Sequence, residues 1–488
     1  MIEIVCNDET YTYNTYHIVK AFYPSEEGKS RVEEKASHYI EAAFDSGIVL
    51  KVSSEEVEES MDTGIDKSDA LAVKKERKYR VDTCFYHKLQ LHTGRSLAWG
   101  ILTGVRPTKI AMQKLSEGMS EEAFVSWFQK ECLVNEEKAH LAWKIAEKEK
   151  KLLDQLDYKN GYSLYVGIPF CPTVCTYCSF SSGSLKDWGH RVEDYLEALC
   201  KELAFIGKAA KEKKLNTIYI GGGTPTSLTA VQLQRLLTCI DEHFSRESLI
   251  EYTVEAGRPD SITKEKLEVI REHGITRISI NPQTMQQKTL DIIGRQHTVE
   301  DIVETYETAR TLGFDNINMD LIAGLPEEEL SDMEDTLRQV EALNPDSLTV
   351  HSLAIKRAAK MGQDRQNRKS QDIRSMIEAS AQSAHKMGLS PYYLYRQKNI
   401  AGNFENVGYA KVDKAGIYNI LIMEEKQSIV AAGAGSSTKI VLQEPMIIPG
   451  NKNKKATNLI RIENVKAIDA YIDRIDEMIE RKGEWLWH

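Results

Sequence analysis

Six strand-like runs alternate with longer amphipathic or capped stretches between residues 163 and 352, and this alternation constrains the fold more than any other feature. The runs are SLYVGI, NTIYIGG, IEYTVEA, TRISI, NINMDLIAG and DSLTVHS. Such alternation is typical of parallel β/α units. It predicts an α/β domain with a partial (β/α)6 barrel, although the pattern alone does not separate an open barrel from a doubly wound sheet. Gly274 and Gly313 mark predicted helix ends.

The segment before this region mixes strand-like and helical patterns. The runs MIEIV, GIVLKV and KYRVDTCFYHKLQL indicate strands, and the charged stretch SSEEVEESMDTG is expected to be a solvated loop. Ser120 and Asn135 are good N-cap residues for two helices that follow. We therefore predict an N-terminal α+β domain over residues 1–158, whose role the sequence does not indicate.

The segment after residue 352 is less regular. We expect a basic surface loop or helix in AIKRAAKMGQDRQNRKS, a helix in QDIRSMIEASAQSAHKMG, a strand and a Gly-rich turn in SIVAAGAGSSTKI, and one amphipathic helix in VKAIDAYIDRIDEMIERKG. We therefore predict two further domains. The β/α domain covers residues 159–355, and a C-terminal α/β extension over residues 356–488 covers the substrate.

Composition excludes some classes of protein. The net charge of −10 disfavours a general nucleic-acid binder. No apolar run approaches the roughly 20 residues of a membrane span, and MIEIVCNDET does not resemble a signal peptide, so the cytoplasm is expected. Cysteines there are mostly reduced. Five scattered cysteines are predicted to be small buried hydrophobic residues: Cys6, Cys84, Cys132, Cys200 and Cys239.

Three further cysteines lie within the stretch VGIPFCPTVCTYCSF. Cys171, Cys175 and Cys178 have the spacing C-x3-C-x2-C. A zinc site usually takes four ligands, and the nearest downstream histidine, His190, is twelve residues away. A disulfide would leave one cysteine over. An iron–sulfur cluster held by three thiolates, with one iron open to a ligand, fits the spacing best.

A C-x3-C-x2-C run at the end of a first β-strand resembles the signature of radical S-adenosylmethionine (SAM) enzymes. In that family the three cysteines hold a [4Fe-4S] cluster and SAM binds the fourth iron. One electron then cleaves SAM to methionine and a 5′-deoxyadenosyl radical. Tyr177 matches the aromatic residue usual between the second and third cysteines. The resemblance therefore implies a [4Fe-4S] cluster and SAM as cofactors.

A glycine-rich stretch, YIGGGTPT, follows the second strand. Glycines let the backbone approach a ligand closely, although many such turns are only tight turns. Here the stretch resembles the family's loop at the SAM amino group, and GGGTPT is characteristic of the coproporphyrinogen-dehydrogenase-like branch. By that resemblance Gly222, Gly223 and Thr224 are candidate SAM contacts, and so are Tyr165 and Ala354.

Isolated polar residues stand at the ends of later strands. Glu255, Gln283 and Asp320 lie where β/α barrels place their active sites, and a buried carboxylate is costly unless it is paired. A core salt bridge or a helix cap is the structural alternative. The resemblance implies that Arg295 binds the SAM carboxylate, that Gln283 and Asp320 bind ribose hydroxyls, and that Glu255 binds the ammonium group or a second ligand.

The resemblance is to oxygen-independent coproporphyrinogen III dehydrogenases from Tyr165 to about residue 355. The outer segments ILTGVRPTKI, HSLAIKRAA and YYLYRQKNIAGNFENVGYA look like the HemZ subgroup of that family. Two residues differ from the classical dehydrogenase pattern at positions that bear on catalytic turnover. Gly167 stands where the classical dehydrogenase has histidine, and Phe180 stands where it has a fourth cysteine; the haem-chaperone branch also has an aromatic residue there.

The implied activity is oxidative decarboxylation of two propionates of coproporphyrinogen III, which gives protoporphyrinogen IX in haem biosynthesis. No side chain is nominated as catalytic, because the radical carries the chemistry. Flavodoxin or ferredoxin is the expected electron donor, and a monomer is expected. Family members have been seen with two SAM molecules. The alternatives are a haem-binding chaperone of the same fold, another radical SAM reaction on a tetrapyrrole such as haem methylation, and a structural metal protein.

Overall fold

The computed structural model of the protein describes residues 1–24, 26–34, 36–61, 65–104, 106–178, 182–353, 372–396, 404–448 and 456–486. The chain divides into two compact units. The first comprises Met1–Glu147, Ser352–Ala354 and Leu394–Asn406; the second comprises Lys148–His351, Ile355–Tyr393 and Val407–His488. The domain boundaries at residues 158 and 355 stay a prediction. None of the described helices is long and apolar enough to cross a membrane.

The first unit combines a small sheet with helices. Its elements are β1 (Ile2–Cys6), α1 (Glu9–Phe22), β2 (Gly28–Val32), β3 (His38–Phe44), β4 (Val49–Ser53), α2 (Ser54–Ser60), α3 (Ala70–Thr93), α4 (Thr108–Ser116), α5 (Glu121–Cys132) and α6 (Glu136–Leu153), the last of which ends in the second unit. The strand order is β2-β1-β3-β4, with β1 parallel to β2 and the other pairs antiparallel. Ser120 and Asn135 cap α5 and α6 as predicted.

The run KYRVDTCFYHKLQL lies in α3, so the strand prediction for it is wrong. Val81, Phe85 and Leu89 recur every four residues and are fully buried, which is the spacing of one helix face. Aromatic and β-branched residues in this run favour strands, but packing of the apolar face decides its structure.

The charged stretch SSEEVEESMDTG contains α2, so the loop prediction for it is also wrong where the structure describes it. The Ser53 side chain accepts a hydrogen bond from the Glu56 N–H and caps the helix. Val57 is fully buried on the inner side. A cap and one buried residue are therefore enough to order a short charged helix.

The second unit is built on a large sheet. Its strands are β5 (Gly161–Ile168), β8 (Lys214–Gly222), β9 (Glu251–Gly257), β10 (Arg277–Ile280), β11 (Ile317–Ala323), β12 (Ser347–Ser352), β13 (Ser390–Tyr395), β14 (Asn406–Ala410), β15 (Ser428–Ala432), β16 (Ser437–Ile447) and β17 (Ala456–Glu463); β6 (Phe170–Cys171) and β7 (Gly183–Ser184) form a separate pair. The order is β13-β14-β12-β11-β10-β9-β8-β5-β15-β16-β17. All six predicted strands are present, as β5 and β8 to β12.

The parallel part of this sheet runs from β15 through β5, β8, β9 and β10 to β11. Among the described strands the order is open, with β13 and β17 at its two ends. The predicted α/β class and the partial barrel are confirmed in this form. The strand in SIVAAGAGSSTKI was predicted, but its place as β15, parallel to β5, was not.

Helices follow most of the parallel strands. They are α7 (Leu185–Trp188), α8 (Val192–Ala209), α9 (Ala230–His243), α10 (Lys264–Glu272), α11 (Gln287–Ile292), α12 (Val299–Thr311), α13 (Leu330–Leu343), α14 (Ile373–Lys386), α15 (Ile417–Glu424), α16 (Ile468–Asp473) and α17 (Ile475–Gly483). Gly274 and Gly313 have positive φ just after α10 and α12, as predicted helix ends. The single last helix that we predicted is instead α16 and α17, separated at Arg474, whose φ of −116° is not helical.

Candidate functional site

The three-cysteine motif lies in the loop that leaves the C-terminal end of β5. Cys171 and Cys175 are buried, and Cys178 is half-buried. The Thr224 hydroxyl donates to the Cys171 sulfur at 3.5 Å, and an Arg258 N–H donates to the Cys175 sulfur at 3.7 Å. Burial raises the pKa of Cys171, and the Thr224 hydrogen bond opposes that shift and favours the thiolate, which is the form that binds a metal.

Arg258 is held firmly in this position. It forms an ion pair with Asp260 at 2.5 Å and donates to the Thr173 carbonyl in the cysteine loop at 2.7 Å. Burial raises the pKa of Asp260, but the nearby His297 ring and the Arg258 ion pair outweigh it and hold that pKa below its ordinary value. Arg258 is therefore a fixed cation beside the thiols, and sequence analysis missed it.

The donor set of three cysteine thiols in one loop fits an iron–sulfur cluster. In the part of the chain that the structure describes, no group of three or more His, Cys, Asp or Glu residues could hold one metal ion. The thiolates of a four-iron cluster each bind a different iron, so they do not converge on one point. All eight cysteines are free thiols in the structure.

The glycine loop after β8 packs directly on the cysteine loop. A Cβ on Gly223 would lie 2.6 Å from the Phe170 carbonyl oxygen and 3.0 Å from the Cys171 sulfur, so only glycine fits there. The N–H groups of Gly223 and Thr224 donate to the carbonyls of Ile168 and Phe170 at 2.7 and 2.8 Å. These two donors thus hold the cysteine loop.

Carboxylates and partners gather at the ends of the next strands. The Tyr219 hydroxyl donates to Glu255. The Asn318 amide donates to Asp320 at 2.7 Å, and His351 lies 3.8 Å from the other Asp320 oxygen. Strands β8, β9, β11 and β12 therefore contribute to one polar cluster inside the second unit.

The two carboxyls of this cluster titrate differently. Burial raises the pKa of Glu255 to about 7; the Tyr219 hydrogen bond opposes that shift, and the nearby Asp320 carboxylate adds to it. Burial also acts on Asp320, but the nearby His351 ring and the hydrogen bond from Asn318 lower its pKa overall. At neutral pH the cluster therefore holds one ionised carboxylate and one that is close to half-protonated.

Three tyrosine rings stack next to this polar cluster. Tyr219 lies 4.4 Å from Tyr418 between ring centroids, and Tyr165 lies 6.2 and 6.3 Å from these two rings. The interplanar angles of 15° to 20° indicate stacking. Tyr165 was a candidate SAM contact, and the structure places it in an aromatic wall with two residues that sequence analysis missed.

Gln283 and Arg295 retain polar atoms that the protein does not satisfy. Gln283 is 9% exposed, has a φ of 69°, and its Oε1 has no hydrogen-bond partner. Arg295 donates to the Asn281 carbonyl at 2.5 Å and interacts with Tyr177 and Cys175, while its Nε is unpartnered. A strained backbone with unsatisfied buried atoms is typical of a binding site. These atoms suit a polar nucleotide such as SAM.

The candidate residues thus meet around the cysteine and glycine loops, except Ala354, which lies outside the described residues, as does Phe180. Sequence analysis did not nominate Tyr219, Arg258, His351 or Tyr418. Tyr219 and His351 stand inside quoted strand runs, and their strand-end positions were the available signal. Arg258 comes two residues after the end of IEYTVEA.

Comparison with known proteins defines the class. Residues 165–340 match the radical SAM superfamily. The structure is similar to that of coproporphyrinogen III oxidase (HemN) from Escherichia coli, described as a radical SAM enzyme. The TM-score is 0.51 at 21% identity, over 66% of this chain and 70% of that one. That likeness shows the fold, and the class implies a [4Fe-4S] cluster and SAM as cofactors.

The relatives define the family. The oxygen-independent coproporphyrinogen-III oxidase-like protein HemZ of Bacillus subtilis is 40% identical over 84% of this chain and 81% of its own length. The haem chaperone HemW of Bacillus subtilis is 38% identical over 40% of this chain and 50% of its own length. The oxygen-independent coproporphyrinogen III oxidase of Escherichia coli is 32% identical over 39% of this chain and 42% of its own length. The chain belongs to the HemZ-like family of radical SAM proteins.

Proposed function

We propose that this protein converts coproporphyrinogen III to protoporphyrinogen IX by oxidative decarboxylation of two propionates, a step of haem biosynthesis. The observation that carries the proposal is its 40% identity to a coproporphyrinogen-III oxidase-like HemZ protein over 84% of the chain. The proposed setting is the cytoplasm, with a flavodoxin or ferredoxin as electron donor and the protein acting as a monomer.

The cluster and SAM, when bound, supply the reductive cleavage of SAM that yields a hydrogen-abstracting radical. The chain's own residues bind, orient and exclude water. Cys171, Cys175 and Cys178 hold the cluster as thiolates, and the fixed Arg258 cation offsets their negative charge. Tyr177 covers the cluster loop beside Arg295.

The remaining candidates bind SAM in this proposal. Glu255 takes the ammonium group and Arg295 takes the carboxylate. Gln283 and Asp320 accept hydrogen bonds from the ribose hydroxyls, which would satisfy the unpartnered Gln283 Oε1. Contact by backbone or ring surface is proposed for the others: Tyr165, Gly222, Gly223, Thr224 and Ala354.

Product analysis under strict anaerobiosis tests the assignment. The reconstituted protein with SAM, a reductant and coproporphyrinogen III should release 5′-deoxyadenosine together with a tripropionate intermediate and protoporphyrinogen IX. The serine variant of all three motif cysteines is the matched control and should give neither. Formation of 5′-deoxyadenosine without any decarboxylated tetrapyrrole would contradict the proposal, and methylated or linear products would indicate another radical SAM reaction.

A haem-binding chaperone is the second candidate. It is favoured by the 38% identity to HemW over 194 residues and by Phe180, an aromatic residue where the classical dehydrogenase has a fourth cysteine. This function predicts stoichiometric haem binding with little SAM turnover. An absorbance titration with haem, run beside the turnover assay, separates the two functions.

A further inference from the structure

Helices α8 and α9 pack side by side and contact each other at successive levels. Near the start of both helices, Arg235 forms an ion pair with Glu193 at 3.0 Å. Near their ends, a Cβ on Gly207 would lie 2.5 Å from the His243 carbonyl oxygen, so the two backbones approach closely there. Residue numbers increase in the same direction along both helices from the first contact to the second. The two helices are therefore parallel.

Two cysteines meet midway between these levels. The Cys239 thiol donates to the Cys200 carbonyl oxygen at 3.9 Å, and the two thiols interact with each other. Sequence analysis treated both as separate small hydrophobic residues, whereas the structure makes them partners. Cys239 is 8% exposed and Cys200 is half-buried, so a reagent in solution meets Cys200 first.

We propose that Cys200 and Cys239 are an oxidative modification site that closes to a reversible disulfide between α8 and α9. The Cys239 sulfur already lies against the Cys200 backbone, and the two helices approach closely at Gly207 and His243. Rotation of the two side chains is therefore the movement that would bring the sulfurs together. The site is separate from the cysteine motif and does not rest on the proposed substrate.

The oxidant in this proposal is a low-molecular-weight disulfide such as oxidised glutathione. The Cys200 thiolate attacks one sulfur of the oxidant, forms a mixed disulfide and releases one small thiol. The Cys239 thiolate then attacks the Cys200 sulfur and releases the second small thiol. Two electrons pass from the protein to the oxidant, and the two thiol protons end on the released molecules.

Cys200 is the better attacking group of the pair. The hydrogen bond from Cys239 lowers the pKa of Cys200, and the nearby Arg235 cation acts in the same direction against burial. Lower thiol pKa raises the thiolate fraction that reacts near neutral pH. Both its greater exposure and its lower thiol pKa therefore favour Cys200 as the cysteine that reacts with the oxidant first.

The cross-link would connect two helices that support the candidate site. The hydroxyl of Tyr195, on α8, donates to the Gly167 carbonyl at the end of β5 at 2.7 Å. Helix α9 begins shortly after the glycine loop, at the Thr229 cap. Closing the chain between α8 and α9 should stabilise this part of the second unit.

Peptide mapping tests the proposal on the cluster-loaded protein. After anaerobic equilibration across a series of glutathione redox buffers, the protein is alkylated and digested with trypsin without reduction. Cys200 falls in the peptide 192–201 and Cys239 in the peptide 236–246, each with no other cysteine. We expect the linked peptide pair to increase with the oxidised fraction, to disappear with dithiothreitol, and to accompany a rise in Tm of about 3 °C.

Matched variants complete the test. C200S and C239S should each abolish the linked pair, and C132S, which removes another half-buried helical cysteine, should leave it intact. Visible absorbance of the cluster shows that the buffers spare the motif. Two separately alkylated peptides throughout the wild-type series, or glutathione attached to Cys200 without transfer to Cys239, would overturn the proposal.

Discussion

Glu202 and Glu255 are carboxylates inside the same unit, and their surroundings differ in a way that separates stability from function. Glu202 and Lys482 are both fully buried and form an ion pair. The remaining bonds to the Glu202 oxygens come from a backbone N–H, a hydroxyl and an amide: Gly433, Tyr471 and Asn464. Such a saturated network ties α8 to α17 and to the turn after β15.

Glu255 has the opposite environment. Its charge is opposed by burial and by Asp320, and no Lys or Arg pairs with it among the described residues. Elsewhere in the candidate site, Gln283 and Arg295 carry polar atoms without partners. A carboxylate that the protein leaves incompletely compensated is typical of a functional site, whereas a saturated one is typical of a structural core.

The largest expected effect is on the site. Changing Cys171, Cys175 and Cys178 together to serine should remove all bound iron, because hydroxyls do not replace thiolates as cluster ligands. Iron and sulfide analysis of anaerobically reconstituted protein measures the loss, and circular dichroism checks the fold. Cys132→Ser is the control and should keep its iron. Unfolding of the triple variant would mean that the metal is structural.

The next effect is on the structural network. Glu202→Gln leaves the buried Lys482 ammonium without a counter-charge, which should cost about 3–5 kcal/mol of unfolding free energy. Urea unfolding measures it. Lys201→Ala breaks the exposed pair with Asp476 on the same helices and should cost under about 1 kcal/mol. If the two variants lose the same unfolding free energy, the buried Glu202 network contributes no more to stability than an exposed ion pair does.

A third change probes the contact between the glycine and cysteine loops. Gly223→Ala places a methyl group against Phe170 and Cys171. The neighbouring atoms must shift to make room for it, which should lower the free energy of unfolding by about 1–3 kcal/mol. We expect SAM affinity to fall about tenfold, measured by equilibrium dialysis on cluster-loaded protein. Gly189→Ala, with nothing within 4 Å of the new methyl, should bind SAM as the wild type does. Unchanged affinity in Gly223→Ala would argue against this loop as part of the SAM site.

Local patterns predicted much of the fold and nominated most residues of the candidate site. Each of the six strands, the cysteine motif and the glycine loop is a short continuous stretch of sequence. Its residue pattern alone was therefore enough to predict it. Arg258 reaches Cys175 from 83 residues away, and Tyr418 stacks on Tyr219 from a distant helix. Contacts between distant segments, such as the placement of β15 beside β5, follow from tertiary packing and have no local signature.

The last test concerns the protonation state of Glu255 itself. Its pKa is raised from 4.5 to about 7, so the folded protein binds this proton more tightly than the unfolded chain does. The resulting stability is fully present below about pH 4.5 and is lost as the pH rises to about 7. Relative to wild type, Glu255→Gln should therefore gain up to about 3 kcal/mol of unfolding free energy across that window, measured by urea unfolding at several pH values.

Tyr219→Phe sharpens this last test. The Tyr219 hydroxyl lowers the pKa of Glu255, so its removal should shift the pH window upward without abolishing it. Parallel stability curves for wild type and Glu255→Gln between pH 4.5 and 7 would mean that Glu255 is as fully compensated as Glu202. In that case the polar cluster at the strand ends would be structural, and the SAM ammonium would need another partner.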